Sequence, residues 1–166
     1  MKLFAIYIGG ELEGANIELH DMRFVAASSI GETHAELRRQ WWGTPRSLHI
    51  DCWAELDEVD GYKITLRQEP YPANEKLFYI NLGGYDPTEF LEKHKNVFIV
   101  APDMSTAKKR ALAVVKNWKL PHRDEMYEAD QMFALSAVST PTWHLHFERI
   151  ERAHSFVFSC SYLPIG

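Results

Sequence analysis

Residues 2–10, KLFAIYIGG, recur as KLFYINLGG at residues 76–84, and this repetition governs the expected architecture. Six of the nine positions are identical, at a constant offset of 74 residues. Each copy is a short apolar run rich in β-forming residues that ends at two glycines, a pattern typical of a buried strand. An internal repeat of this kind predicts a duplicated structural unit.

The repetition continues downstream and includes polar residues. His20 pairs with His94 at the offset of 74, and His49-Ile50-Asp51 pairs with His122-Arg123-Asp124 at an offset of 73. Recurring apolar residues need only occupy equivalent core positions, but burial does not explain recurring histidines and aspartates. The repeat therefore singles out these polar residues as candidates for a functional site.

The repeat also sets the expected domain organisation, in which Pro70 and Pro72 mark the boundary between the two copies. We expect the two copies to form one compact, pseudo-symmetric domain. The predicted divisions are a first repeat at 1–69, a connector at 70–75, a second repeat at 76–150 and a C-terminal strand extension at 151–166.

The hydrophobic patterns predict an α+β protein of two tandem ββαββ-like repeats, each with one helix packed on an antiparallel sheet. Helices are expected over 30–42 and 105–118, the second with Asp103 as its N-cap. Strands are expected at 2–8, 22–27, 48–56, 62–66, 76–82, 96–101 and 142–150. Of these, 62–66 is expected to form a hairpin with 48–56. Residues 122–130 show no clear pattern. An extra strand at 155–162 has no counterpart and is expected to cover an open sheet edge or to form a homodimer interface.

Three segments carry a family resemblance: residues 2–10, residues 14–24 (GANIELHDMRF) and residues 48–51 (LHID). They resemble a bacterial family known as domain of unknown function 1543. The likeness covers about residues 2–66 and, more weakly, 76–147. It implies one or two copies of a short unit per chain, here two tandem copies, and it implies no activity.

Composition excludes several classes of protein. The chain has 166 residues, 46% of them hydrophobic, and a net charge of −5, so DNA is an unexpected partner because duplex binding depends on neutralising phosphates. No apolar run is long enough to span a membrane, and no signal peptide is recognised, so a cytoplasmic location is expected. Two inert, buried thiols are the favoured interpretation of Cys52 and Cys160, with one disulfide as the alternative.

The paired histidines and aspartates are the candidate ligand-binding residues. Imidazoles and carboxylates are the usual ligands of zinc and other divalent metals, although no familiar metal-binding spacing is present. On a regular strand, His49 and Asp51 project to the same face. Structural roles and contact with a small ligand remain alternatives. The full set is His20, Asp21, His49, Asp51, His94, His122 and Asp124, of which all but Asp21 are candidate metal ligands.

The two glycine pairs, Gly9-Gly10 and Gly83-Gly84, are the other candidate site residues. Glycines after a strand often cradle phosphate, but neither a P-loop nor a dinucleotide-binding pattern follows them. We therefore expect them to turn the chain and to open two candidate binding loops, at 11–19 and 85–93. No cofactor is implied by any motif.

These features lead to one main hypothesis and two alternatives. The main one is a non-catalytic module that binds a small ligand or a protein partner. The first alternative is a metal-dependent enzyme of the hydrolase type that uses the paired histidines and aspartates. The second is weak RNA binding through the basic second helix, which carries Lys108, Lys109 and Arg110.

Overall fold

The structure is a computed structural model that describes residues 1–128, 143–151 and 155–166, without the side chains of Leu120 and of residues 123–128. Parts of the predicted second repeat (129–142) and of the C-terminal extension (152–154) lie outside the described residues. The described chain has the expected α+β class, with antiparallel strands and two α-helices. None of its described helices is both long and apolar enough to cross a membrane.

The first sheet has four strands in the order β10-β3-β1-β2. Its strands are β1 (Lys2–Gly10), β2 (Leu19–Ala27), β3 (His49–Glu55) and β10 (Ser159–Pro164). The central strand β1 is buried at almost every position, as its apolar sequence predicts. One face of this sheet packs under a 3₁₀ turn (Ile30–Thr33) and helix α1 (His34–Gln40), which together replace the single predicted helix.

The second sheet has the order β7-β6-β8 and packs against helix α2 (Met104–Val114). Its strands are β6 (Lys76–Tyr85), β7 (Glu92–Ala101) and β8 (Lys119–Glu128). The predicted cap of α2 is confirmed, because the Asp103 carboxylate accepts a hydrogen bond of 2.7 Å from the backbone N–H of Thr106. Strand β8 forms where the sequence shows no clear pattern.

A third sheet joins segments from both ends of the chain. It has the order β4-β5-β9, with β4 at Glu58–Val59, β5 at Tyr62–Arg67 and β9 at His144–Arg149. The prediction that residues 62–66 pair with β3 is wrong, because β10 occupies that edge of β3. Instead β5 pairs with β9, and Ile64 enters a core shared with Phe24 of the first sheet and Tyr79 of the second.

The C-terminal strand covers the open edge of the first sheet, which was one of its two expected roles. Cys160 on this strand forms a disulfide with Cys52 on β3, so the expectation of two inert, buried thiols is wrong. The sequence offered this bond only as the alternative, because the two cysteines are 108 residues apart and meet only through the strand order. Beyond β10, the buried Ile165 fixes the end of the chain by donating its N–H to the carbonyl of Leu48.

The glycine pairs do not turn the chain, which corrects another prediction. Gly9 and Gly10 lie within β1, and Gly83 and Gly84 lie within β6. An ideal Cβ on Gly10 would lie 2.6 Å from the Trp41 ring, and one on Gly84 would lie 2.6 Å from the Trp118 ring. These two glycines are needed because a tryptophan ring packs directly against the strand backbone.

Candidate functional site

Gly9 lies in the middle of a row of three residues across the first sheet. It pairs with His20 on β2 and with His49 on β3. An ideal Cβ on Gly9 would lie 2.7 Å from Nε2 of His49 and 2.9 Å from Oδ2 of Asp51. The absence of a side chain at Gly9 therefore leaves room for side chains from the two flanking strands to meet over the centre of the sheet.

A β-bulge in β3 brings Asp51 into this row. Ile8 pairs with Ile50 and Tyr7 pairs with Cys52, so Asp51 is an extra residue without a partner on β1. The bulge changes which side chains of β3 share a face of the sheet. Cys52 lies on the same face as His49, and Trp53 packs against the core on the opposite face. The predicted common side of His49 and Asp51 is observed, although a bulge rather than regular alternation produces it.

Two carboxylates each reach both imidazoles. The Oε1 and Oε2 atoms of Glu18 lie 3.4 Å from Nε2 of His20 and 3.4 Å from Nε2 of His49. The Oδ2 and Oδ1 atoms of Asp51 lie 3.2 and 3.4 Å from the same two nitrogens. Glu18, His20 and His49 each offer one ligand atom, and these three atoms lie within 4.8 Å of one another. Such a group could hold a metal ion. We call Glu18, His20, His49 and Asp51 the first cluster.

The hydrogen bonding of His49 leaves one ring nitrogen directed into the cluster. Its Nδ1 lies 2.8 Å from the carbonyl oxygen of Ser47, which requires a proton on Nδ1 and leaves a lone pair on Nε2 in the neutral ring. The side chain is only 3% exposed. Its Nε2 and the Oδ2 of Asp51 are buried without a hydrogen-bond partner, and such atoms are costly to leave unsatisfied. A cation between them would satisfy both atoms.

Two tyrosines pack against the imidazoles. The Tyr7 ring stacks on His20 at 5.1 Å between centroids, and the Tyr162 ring lies 4.5 Å from that of His49. Burial raises the pKa of Tyr7 above its usual 10.0, and the carboxylates of Asp51, Asp21 and Glu18 raise it further. The same negative potential that opposes ionisation of Tyr7 favours a cation in the cluster.

The structure separates some of the predicted site residues from this cluster. Asp21 forms an ion pair with Arg23 on its own strand, and Gly10 contacts Trp41. Glu18, in turn, is a member that the sequence interpretation missed. The offset of 74 residues that pairs His20 with His94 also pairs Glu18 with Glu92, so the signal was present in the repeat.

The remaining predicted histidines meet in the second sheet. Gly83 pairs with His94 on β7 and with His122 on β8, and Glu92 contacts both imidazoles. Asp124 lies on β8, but its side chain is outside the described part of the structure.

A groove of about 520 Å³ is lined by Tyr7, whose ring stacks on His20, and by none of the four residues of the first cluster. Tyr7 lines it on the first sheet and His94 and Lys95 line it on β7, while Phe98 and Phe156 make it largely apolar. Its volume falls in the range of about 300–1,000 Å³ that is typical of small-molecule sites.

Two comparisons relate the chain to known proteins. The family model described as Domain of Unknown Function (DUF1543) matches residues 15–66. This range contains Glu18, His20, His49 and Asp51, the whole of the first cluster.

The chain is also similar to a solved structure, the crystal structure of protein Il1583 from Idiomarina loihiensis. The two are 30% identical with a TM-score of 0.74, and the match covers 99% of this chain and 98% of the other. No curated protein matches the chain.

Proposed function

The chain belongs to the DUF1543 family, and we propose that it is a metal-dependent enzyme of the hydrolytic type whose centre is the first cluster. The observation that carries this proposal is the spacing of the ligand atoms. Ligands about 2.0–2.1 Å from a tetrahedral zinc ion are about 3.3–3.4 Å from one another. The two carboxylate oxygens of Glu18 lie 3.4 Å from Nε2 of His20 and 3.4 Å from Nε2 of His49, close to that spacing.

The ligand set favours a catalytic ion over a structural one. Glu18, His20 and His49 offer two imidazoles and one carboxylate, a combination that leaves one tetrahedral position open for water or substrate. A zinc ion in a site of this type lowers the pKa of a bound water molecule to about 7. The Glu18 side chain is 47% exposed, so the cluster is accessible to solvent on that side.

Asp51 has a different role in this proposal. Its carboxylate lies against both histidines, and its Oδ2 atom is buried without a hydrogen-bond partner. We assign Asp51 as the general base, because its carboxylate, beside both imidazoles, would accept a proton from a water molecule activated by an ion held there.

The groove beside Tyr7 supports an organic substrate. This largely apolar groove reaches the first cluster through Tyr7, whose ring stacks on His20, so it can hold the carbon skeleton of a small molecule near the cluster. The same groove suits the non-catalytic binding module that the sequence suggested. We favour the enzyme because the buried, unpartnered atoms of His49 and Asp51 call for a cation rather than an apolar ligand.

Cobalt binding tests the metal centre. Co²⁺ replaces zinc and absorbs visible light with an intensity that reports its coordination number. We expect His49→Ala to lower the bound cobalt by one equivalent per chain. Because His49 is buried, Glu18→Gln at a half-exposed position repeats the test without disturbing the core. The control His144→Ala removes a histidine from β9, in the third sheet, and should bind as much cobalt as the wild type.

Two further measurements test the hydrolytic assignment. Azide should shift the visible spectrum of the cobalt protein if one coordination position is open. The zinc-loaded protein should cleave chromogenic carboxylate or phosphate esters, and Asp51→Asn at saturating zinc should abolish this activity. Cobalt binding unchanged by both His49→Ala and Glu18→Gln contradicts the metal centre. A spectrum that azide does not change contradicts the open position.

A further inference from the structure

We propose that the second sheet holds a separate divalent-metal site formed by Glu92, His94 and His122, which we call the second cluster. It loads independently of the first cluster, so each of the two sites can be disproved without the other.

The strand register places both imidazoles beside one glycine. Gly83 pairs with His94 on β7 and with His122 on β8, just as Gly9 pairs with His20 on β2 and with His49 on β3. In both sheets the central strand carries the glycine, and each flanking strand supplies one histidine. The backbone therefore builds the same three-residue row twice.

The bulge is also present twice. On β8, Leu82 pairs with Arg123 and Asn81 pairs with Glu125, so Asp124 is an extra residue without a partner on β6. Asp51 has the same relation to Ile8 and Tyr7 on β1. Bulges of this kind occur preferentially next to functional sites, where they redirect a side chain.

Glu92 joins the two imidazoles of the second cluster. Its Oε1 atom lies 2.9 Å from Nε2 of His122, and its Oε2 atom lies 3.5 Å from Nε2 of His94. Glu92 stands two residues before His94, as Glu18 stands two residues before His20. Residues two apart on a strand share a face, so the Glu-x-His sequence directs both ligands to one point. Two imidazoles and one carboxylate are again ligand types that zinc and cobalt take, but these ligand atoms do not all lie within 4.8 Å of one another as those of the first cluster do, so the side chains must move together to bind an ion.

The two clusters differ in their exposure to solvent. The side chain of His122 is 39% exposed, whereas that of His49 is 3% exposed. The second cluster is therefore the more accessible site. His94 lines the same groove as Tyr7, whose ring stacks on His20 of the first cluster.

The test counts metal ions per chain. Equilibrium dialysis against Co²⁺ is carried out on the wild type, on His49→Ala, on His122→Ala and on the double variant. We expect two, one, one and no equivalents. Glu92→Gln, at a half-exposed position, should repeat the loss seen with His122→Ala, and His144→Ala should retain both equivalents. Circular dichroism confirms that each variant is folded.

The two proposals fail in different ways. If the wild type binds one equivalent and His49→Ala binds none, the second site is overturned and the first stands. If His122→Ala binds none while His49→Ala still binds one, the second site stands and the first is overturned. A wild type that binds no cobalt overturns both.

Discussion

The Oδ2 atom of Asp51 lies 3.2 Å from Nε2 of His20, although these residues belong to strands on opposite sides of β1. Two features of the backbone make this contact possible. The bulge in β3 places Asp51 outside the regular register, and Gly9 presents no side chain between the two strands. The site therefore depends on an irregular strand and a glycine as much as on the ligands themselves.

Gly9→Ala should damage the first cluster without changing a ligand. The added methyl would lie 2.7 Å from Nε2 of His49 and 2.9 Å from Oδ2 of Asp51, so both side chains must move. We expect cobalt affinity at this site to fall by about 10–100-fold, the effect typical of disturbing the surroundings of a metal ligand. Gly31→Ala is the matched control, because its Cβ would meet nothing nearer than Ser29 Oγ at 4.0 Å. Equal affinity in the two variants would show that Gly9 does not border a metal site.

Asp51→Asn should weaken metal binding while Asp21→Asn should not. Each substitution removes one negative charge and keeps the size of the side chain. Asp51 contacts both histidines, whereas Asp21 pairs with Arg23. We expect an affinity loss of about 10–100-fold for Asp51→Asn alone, measured by isothermal titration with zinc. The same loss in both variants would mean that general charge, and not contact with the histidines, controls binding.

The ionisation of Tyr7 should report whether the first cluster is loaded. Burial, followed by the carboxylates of Asp51, Asp21 and Glu18, holds the pKa of Tyr7 above 10.0 in the free protein. A bound cation offsets that negative charge and stabilises the tyrosinate, so adding zinc should lower the pKa of Tyr7. Ultraviolet difference titration against Tyr7→Phe isolates this group from the other tyrosines. A Tyr7 pKa that zinc does not change places the ion elsewhere.

The raised pKa of Tyr7 also predicts that Tyr7 contributes to a loss of folding stability at alkaline pH. Because the folded chain holds this proton more tightly than the unfolded chain, the contribution of Tyr7 to stability is complete below pH 10.0. This contribution is lost as the pH rises from 10.0 through the higher pKa that Tyr7 has in the folded protein. Tyr7→Phe should therefore reduce the loss of stability above pH 10, as measured by urea unfolding at several pH values.

Reduction of the Cys52–Cys160 disulfide should destabilise the protein. The bond closes a loop of 108 residues and holds the exposed strand β10 against β3. We expect a reducing agent to lower the free energy of unfolding by about 2–5 kcal/mol. The double variant Cys52→Ser/Cys160→Ser should show no response to the reducing agent. Detection of two free thiols in the unreduced, denatured protein would contradict the bond.

The disulfide also bears on where the protein is found. Disulfides persist mainly in oxidising compartments, whereas the sequence led to the expectation of a cytoplasmic protein. That location stays a prediction, as do the homodimer through the C-terminal strand and RNA binding by α2. Within α2, Arg110 pairs with Asp60, so it is already engaged in holding the helix to the β4–β5 turn.

Local sequence determined the elements that depend on local physics. The apolar runs of residues 2–10 and 76–84 fixed the central strands of two sheets, and Asp103 fixed the start of α2. The recurrence of His20 and His49 as His94 and His122 marked the polar residues that gather at both glycine rows. These features need only neighbouring residues or comparison of the chain with itself.

Only the tertiary structure decided which distant groups meet. The bulge at Asp51, the pairing of β5 with β9 and the bond between Cys52 and Cys160 depend on which strand lies beside which. Strand order depends on the packing of all three sheets around a shared core. The alternation of side chains along one strand does not indicate which other strand will lie beside it. Glu18 joined the site for the same reason, because β1 brings the start of β2 beside the start of β3.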